Sequence, residues 1–457
     1  MALFTKDKDF YKRLFSLIIV IALQNLVVFS VNLADNVMLG GYSEAGLSGV
    51  ALVNQIQFLL QMLVMGTAEG IVVLSARSWG RRDIASIRLV TAIGMLLALI
   101  VAAFMFLAVQ IFPFQALGFF SNDAPVIAEG VKYLRIVSFT YPFFAMSSIL
   151  LAMLRSVETV KVGFMVSVST LIINVCLNYT LIYGHFGAPQ LGVQGAAIAT
   201  LTSRIVEFFI IVIFLAKFDE KVKIKLKDFF HFDKPMFLLY LKVGAPVIGS
   251  NAVWGVAQAF QTSILGHMGA ASIAANSIAS TVFQIVSVIC YGSASATSIV
   301  IGKTIGEGNS HKVKEYAITL EILYLIIGAL SGLSLFLLKD VVISFYGSIS
   351  PEAYQLAIQF MTVLSVTIVG TAYQMPCLTG IVRSGGDTKF VLINDSIFMW
   401  LIVLPASFLA AFVFHFPPVV VFACLKSDQI LKCFVAIPKV NRFKWIRSFS
   451  PEEKVEA

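Results

Sequence analysis

Twelve apolar stretches, each long enough to cross a lipid bilayer, leave this chain few ways to fold. They lie at residues 14–36, 46–72, 89–112, 131–153, 163–184, 194–216, 236–261, 275–300, 316–338, 353–378, 390–413 and 417–436. A helix of about 20 mostly apolar residues covers the roughly 30 Å hydrocarbon core of a membrane. Composition agrees: 58% of the 457 residues are hydrophobic and 13% are charged, an excess that must face lipid. The last stretch fits least well, because Lys426, Asp428 and Lys432 interrupt it. Pro142, Pro246, Pro376 and Pro405 are expected to break their spans, which is tolerated where neighbouring helices or cavity water take up the freed carbonyls.

The loops give an independent reading. Lys6, Lys8, Lys12 and Arg13 precede the first span, residues 35–45 carry no Lys or Arg, and Arg77, Arg81, Arg82 and Arg88 follow the second span. The alternation continues to the end, with Lys339 and the pair Lys132 and Arg135 departing from it, and the tail side carries Lys439, Arg442, Lys444 and Arg447. By the positive-inside rule both termini are expected in the cytoplasm, with an even number of spans. The same rule accounts for the net charge of +8 without a nucleic-acid partner. Residues 1–13 lead straight into a full-length span, so the first helix is expected to be retained and not removed as a signal peptide. Five scattered cysteines show neither a disulfide framework nor a zinc-type spacing.

The chain repeats itself. At a constant offset of 226 residues Leu39 meets Leu265, Gly40 meets Gly266, Gly66 meets Gly292, Ala68 meets Ala294, Gly80 meets Gly306 and Arg77 meets Lys303. A second match sets LRSVETVK from Leu154 against VRSGGDTK from Val382. Six helices per copy is an even number, so both copies enter the bilayer from the same side and form a parallel repeat. The expected class is therefore an all-α integral membrane protein with twelve transmembrane helices in two parallel six-helix repeats. Its expected division is an N-terminal lobe over 1–216, a basic linker over 217–235, a C-terminal lobe over 236–438 and a tail over 439–457.

The segments NLADNVMLGG, GAPQLGVQGAAIAT, ILGHMGAASIAANSI, VIGKTIGEGN and VRSGGDTK, in this order and in both halves, make the chain similar to the multidrug and toxic compound extrusion (MATE) family of antiporters. That resemblance implies two six-helix lobes facing a central cavity. It also implies export of small amphipathic, often cationic compounds in exchange for inward Na⁺ or H⁺ by alternating access. No cofactor beyond the coupling ion is expected, and the protein is read as a monomer of the plasma membrane. The alternative reading is a lipid-linked oligosaccharide flippase of the wider superfamily, which would need several cavity cations to hold a diphosphate. Five separated histidines, with no nucleophile–base or metal arrangement, argue against an enzyme.

Asp35 leads the candidate residues. An ionisable side chain at membrane depth is expensive and marks an ion or substrate path, and the family places its N-lobe acid here. Asn174 and Asn178 share one face of the fifth span by their i, i+4 spacing, and amide oxygens ligate hard cations. By resemblance they pair with the acid, and Thr200 adds its hydroxyl. Asp35, Asn174, Asn178 and Thr200 are thus the expected cation-coupling set, and the metal ligands if Na⁺ is the coupling ion. Tyr141, Met153, Asn251, Trp254, Gln261 and Asp395 are candidates for the substrate cavity. Arg204 and Glu207 are read as a structural pair, Glu69 as within reach of Arg77, and Asp387 with Arg383 as an ordinary loop interaction. The C-terminal copy sets Gln261 where the first has Asp35, so the fold is expected to be symmetric and the coupling chemistry not.

Overall fold

The computed structural model describes residues 4–121, 123–344 and 350–447; residues 448–457 of the expected tail lie outside them. Its long helices are α1 (Lys8–Gly40), α2 (Glu44–Gly80), α3 (Ile84–Ile111), α5 (Ala124–Val137), α6 (Thr140–Ser156), α7 (Lys161–Tyr183) and α8 (Val193–Lys217), then α9 (Lys234–Gly266), α10 (Ala270–Gly306), α11 (Ser310–Ser344) and α12 (Pro351–Met375). A short α4 (Pro113–Gly118) precedes α5, and α13 (Thr388–Ser396), α14 (Leu404–Phe408), α15 (Pro418–Leu425) and α16 (Asp428–Asn441) complete the chain. Among the described residues ten helical stretches are long and apolar enough to cross a membrane, and α5 with α6, bent by 53°, makes an eleventh. The stretch expected as the twelfth span is divided between α15 and α16, with Lys426 and Ser427 between them.

Local sequence accounts for where the helices begin and end. Ser43 caps α2 by accepting from the Gly46 N–H, and Asp83 caps α3 by accepting from Ser86, each satisfying a first-turn donor. Asp123 does the same for α5, ahead of a first-turn proline, and Ser350 for α12. Gly184 ends α7 in the left-handed conformation at φ 74°, where any side chain would be strained.

The prolines act differently from one another. Pro376 has no N–H to return to the preceding turn, and the helix widens to a π-helix over Pro376–Val382. Around Pro405 the winding is π over Ile397–Val403 and again over Leu409–Val413. Pro246 sits inside a continuous α9, so it does not break that span as the sequence suggested.

The chain packs as two compact units. One comprises Leu23–Ile248, and the other Met1–Ala22 together with Gly249–Ala457. Within the first, the α9 residue Tyr240 donates its hydroxyl to the Thr67 carbonyl of α2 at 2.7 Å, and Arg88 of α3 donates to the Val222 carbonyl at 2.7 and 2.9 Å. Within the second, Phe10 stacks on Tyr316 of α11 with ring centroids 4.2 Å apart. The Tyr316 hydroxyl donates to Asp7 at 2.6 Å and holds that carboxyl below the usual range. Large apolar side chains such as Phe104, Leu330 and Leu401 are 60–71% exposed, the outward face expected of helices in lipid.

One close approach sets the position of α5, which carries part of the site described next. A Cβ on Gly49 of α2 would stand 2.6 Å from the Gly130 nitrogen and 2.8 Å from the Val126 carbonyl oxygen. Backbone cannot yield as a flexible side chain can, so α2 and α5 must separate if a methyl is added. Gly49→Ala is expected to cost about 1–3 kcal/mol and to lower transport through α5. Thermal unfolding in detergent checks the first effect, and unchanged unfolding would remove this account of the contact.

Candidate functional site

The first unit encloses a polar cavity whose lining comes from α1, α2, α5, α6, α7 and α8. Asp35 lies in the second-last turn of α1. Its Oδ1 accepts a hydrogen bond from Asn178 Nδ2. The same amide nitrogen donates to Asn174 Oδ1 at 3.1 Å, one turn earlier on α7. Asn174 Nδ2 in turn points at Thr200 Oγ1 of α8 at 3.5 Å, and that hydroxyl donates to the Ala196 carbonyl at 3.0 Å. The four residues singled out from sequence thus form one chain of contacts across three helices. Both asparagines are wholly buried. The α1–α7 register is fixed just outside the cavity, where the Tyr183 hydroxyl donates to the Met38 carbonyl at 2.7 Å.

Two buried polar atoms are left over. Asn178 Oδ1 and the Tyr141 hydroxyl have no hydrogen-bond partner among the described residues. A buried acceptor without a donor is costly, and an oxygen in that state next to a carboxylate is suited to a cation or a protonated group. The cavity holds about 50 Å³, room for a few waters.

Arg204 and Glu207 form the expected pair, with Nη1 to Oε2 at 2.8 Å. Glu207 also accepts from Thr170 Oγ1 at 3.2 Å, and the guanidinium lies 5.4 Å from the ring centre of Phe144. Arg204 lines the same cavity as Asp35, while Glu207 is buried against Thr170 of α7.

Several lining residues were not singled out from sequence. Asn54, Gln57 and Gln61 of α2 all line the cavity, and their spacing of three and four residues puts them on one helical face. That stripe inside an apolar span was the available signal. Tyr133 of α5 lines the cavity with Thr200, and nothing in its local sequence announces this. Asn32 and Asn36 complete the α1 face.

Of the substrate-cavity candidates, Tyr141 lines this cavity. Met153 is fully buried in α6, outside the lining. Asn251, Trp254, Gln261 and Asp395 belong to the second unit. There Gln261 is buried with Nε2 3.2 Å from the Met399 sulfur, and Trp254 packs against the apolar core of that unit. Asp395 accepts from Ser250 Oγ at 2.6 Å and from Lys432 Nζ at 2.9 Å. Glu69 has Arg155 at 3.8 Å. Asp387 is more than a loop residue: it is buried and paired with Lys439 at 2.6 Å and Arg447 at 2.8 Å.

The sequence pattern described as MatE matches residues 21–180 and again 246–409, one match in each copy of the repeat. Among curated proteins the chain is 24% identical over 454 residues to the "Probable multidrug resistance protein NorM" of Listeria monocytogenes, covering 97% of each. It is 25% identical to the protein of the same description from Thermotoga maritima, over 84% of this chain and 82% of that one. The "Multidrug resistance protein MdtK" of Pectobacterium atrosepticum is 23% identical over 88% of this chain and 87% of its own length. Among solved structures, a crystal structure of MATE in complex with MaL6 superposes with a TM-score of 0.85 at 21% identity, covering 95% of this chain and 97% of that one. A MOP superfamily transporter from Pyrococcus furiosus superposes at 0.86 with 20% identity, covering 96% of each. These likenesses establish the twelve-helix fold.

Proposed function

The chain belongs to the MatE family of membrane transporters and is not an enzyme, and we propose that it works as a multidrug efflux antiporter. It exports small amphipathic, often cationic compounds in exchange for Na⁺ or H⁺ by alternating access. The exchange is coupled through Asp35 with Asn174, Asn178 and Thr200. The protein acts as a monomer in the plasma membrane with both termini in the cytoplasm. The names borne by its relatives, NorM and MdtK multidrug resistance proteins, support the substrate class.

The observation that carries the coupling is the cavity itself. It brings a carboxylate on α1 together with amides on α7 and a hydroxyl on α8, and beside them the buried Asn178 oxygen has no donor. A hard monovalent cation takes such oxygens as ligands, and a proton on Asp35 would serve the same electrostatic end. The flippase reading is less well supported. Among the described residues the lining contains a single cation, Arg204, and its charge is already opposed by Glu207 at 2.8 Å.

The test is efflux of a cationic dye from proteoliposomes under separately imposed Na⁺ and pH gradients. One of the two gradients is expected to drive accumulation against the dye's own gradient. Downhill movement only, under either gradient, would sink the antiport reading.

A further inference from the structure

The last span holds the charges that fit a lipid-crossing helix least, and the fold gathers them. Lys432 of α16 has a side chain 6% exposed. Its Nζ lies 2.9 Å from Asp395 Oδ1 on α13 and 3.4 Å from Asp428 Oδ2, one turn earlier on its own helix. The Asp428 side chain is 2% exposed. The second oxygen of Asp395 accepts from Ser250 Oγ on α9 at 2.6 Å. Asp428 accepts from Gln429 Nε2 at 3.0 and 3.1 Å. The Gln429 amide oxygen is held in turn from α12 by Thr371 at 3.1 Å and Gln374 at 2.9 Å.

Two carboxylates from two helices therefore close on a single ammonium, and a second layer of amides and hydroxyls fixes them. Lys426, the other cation of the segment, is placed over aromatic rings, 5.3 Å from the centre of Phe283 and 5.8 Å from that of Phe422. No group of three or more His, Cys, Asp or Glu that could hold a metal occurs among the described residues. The donors around Lys432 are hard carboxylate oxygens, which do not favour zinc, and the group they hold is a singly charged ammonium.

We infer that the Lys432 ammonium is a tethered cation, seated in a monovalent-cation site of the second unit formed by Asp395, Asp428 and Ser250. The class of ligand the site takes when the ammonium is gone is an alkali cation or a small primary ammonium. With the ammonium gone, buried Asp428 and partly buried Asp395 would face each other uncompensated, which is unfavourable, so the vacated site has reason to recruit one. With Lys432 in place this site carries its cation covalently and has none to exchange. On the reading that Asp35 is the coupling residue, exchange is then left to the first unit.

The test uses the full-length protein in detergent with Asp35→Asn as background, so that any ion effect at the first-unit cavity is absent from every sample. Lys432→Met and Lys432→Gln are added singly, and compared with Lys432→Met carrying Asp395→Asn and Asp428→Asn. Melting temperature is read in sodium, lithium or methylammonium chloride against N-methyl-D-glucamine chloride at equal ionic strength. Both single variants are expected to rise by about 3–6 °C in a small cation, while the background and the charge-neutralised variant do not. Equal melting in all four salts overturns the inference and leaves Lys432 as an ordinary structural ion pair. Should neither single variant be recovered by standard extraction, extraction in the sodium and glucamine salts carries the same test. Recovery in sodium alone supports the site, and recovery in both or in neither overturns it. A failure here leaves the Asp35 reading untouched, because that reading is tested by transport in the parent protein.

Discussion

Asp35→Asn is expected to abolish gradient-driven export and to leave a folded protein behind. The substitution keeps the shape of the side chain and an oxygen that can still accept from Asn178, so the contact between α1 and α7 survives. It removes the one property an amide cannot imitate, a negative charge that appears and disappears with its ion or proton. Fixed neutrality uncouples the cavity from either gradient. The initial rate of gradient-driven dye efflux in proteoliposomes is expected to fall about 100-fold, equivalent to roughly 2.7 kcal/mol, with melting temperature in detergent within a few degrees of the parent. Passive, downhill dye movement need not fall by the same factor, and that difference separates lost coupling from lost substrate binding. Export at the parent rate would end the assignment of Asp35. Equal loss of uphill and downhill movement would turn it into a substrate-binding residue.

Much of this site is legible in the sequence, for a physical reason. A carboxylate or an asparagine inside an apolar span is conspicuous because it is costly there, so Asp35, Asn174 and Asn178 announce themselves. Their i, i+4 spacing gave the shared face of α7, and the contact from Asn178 to both Asp35 and Asn174 requires that face. Asn54, Gln57 and Gln61 carried a similar signal on α2, at a spacing of three and four. They are uncharged and lie in a long helix, and so did not stand out. Their counterparts at the repeat offset of 226 are Ser280, Phe283 and Ser287, so the polar stripe is not shared between the copies. Gln261, in the place of Asp35, meets a methionine sulfur. The copies thus differ in chemistry over α2 and α10 as well as at the acid.

What could not be read was tertiary partnership. Tyr133 looks like any aromatic of an amphipathic turn until the fold sets it in the same cavity as Asp35 and Thr200. The charges of the last span looked like blemishes in a hydrophobic run. Their meaning depends on Asp395, 37 residues away in sequence, and no local pattern encodes that distance. The prolines show the same limit. Each removes one donor, yet Pro376 yields a π-helix and Pro246 an uninterrupted α-helix, because the neighbouring turns decide how the loss is absorbed.

The segment after α16 shows how a short stretch beyond the spans can hold a unit together, and Trp445→Ala is expected to be among the most destabilising single changes in it. The expected tail runs over 439–457, and within it Trp445 is fully buried. Its indole N–H donates to the Val440 carbonyl at 2.8 Å, and its ring lies against Gly385, where a Cβ would stand 2.7 Å from Cζ3. Two residues on, the Arg447 N–H donates to the Gly385 carbonyl at 2.8 Å, while its guanidinium joins Lys439 on the buried Asp387. The ring therefore plugs the turn between the π-helical end of the tenth span and α13, near the carboxylate that takes two cations. Truncation to alanine leaves a cavity the size of an indole and costs about 3–5 kcal/mol, a large share of the roughly 5–15 kcal/mol that separates folded from unfolded states. Trp445→Phe keeps most of the packing and loses one hydrogen bond, about 1 kcal/mol. Reversible unfolding in mixed micelles, with limited proteolysis after Lys439 and Arg442 as a second readout, orders the three proteins. A Trp445→Ala protein as stable as Trp445→Phe would mean that the ring contributes its hydrogen bond and nothing more.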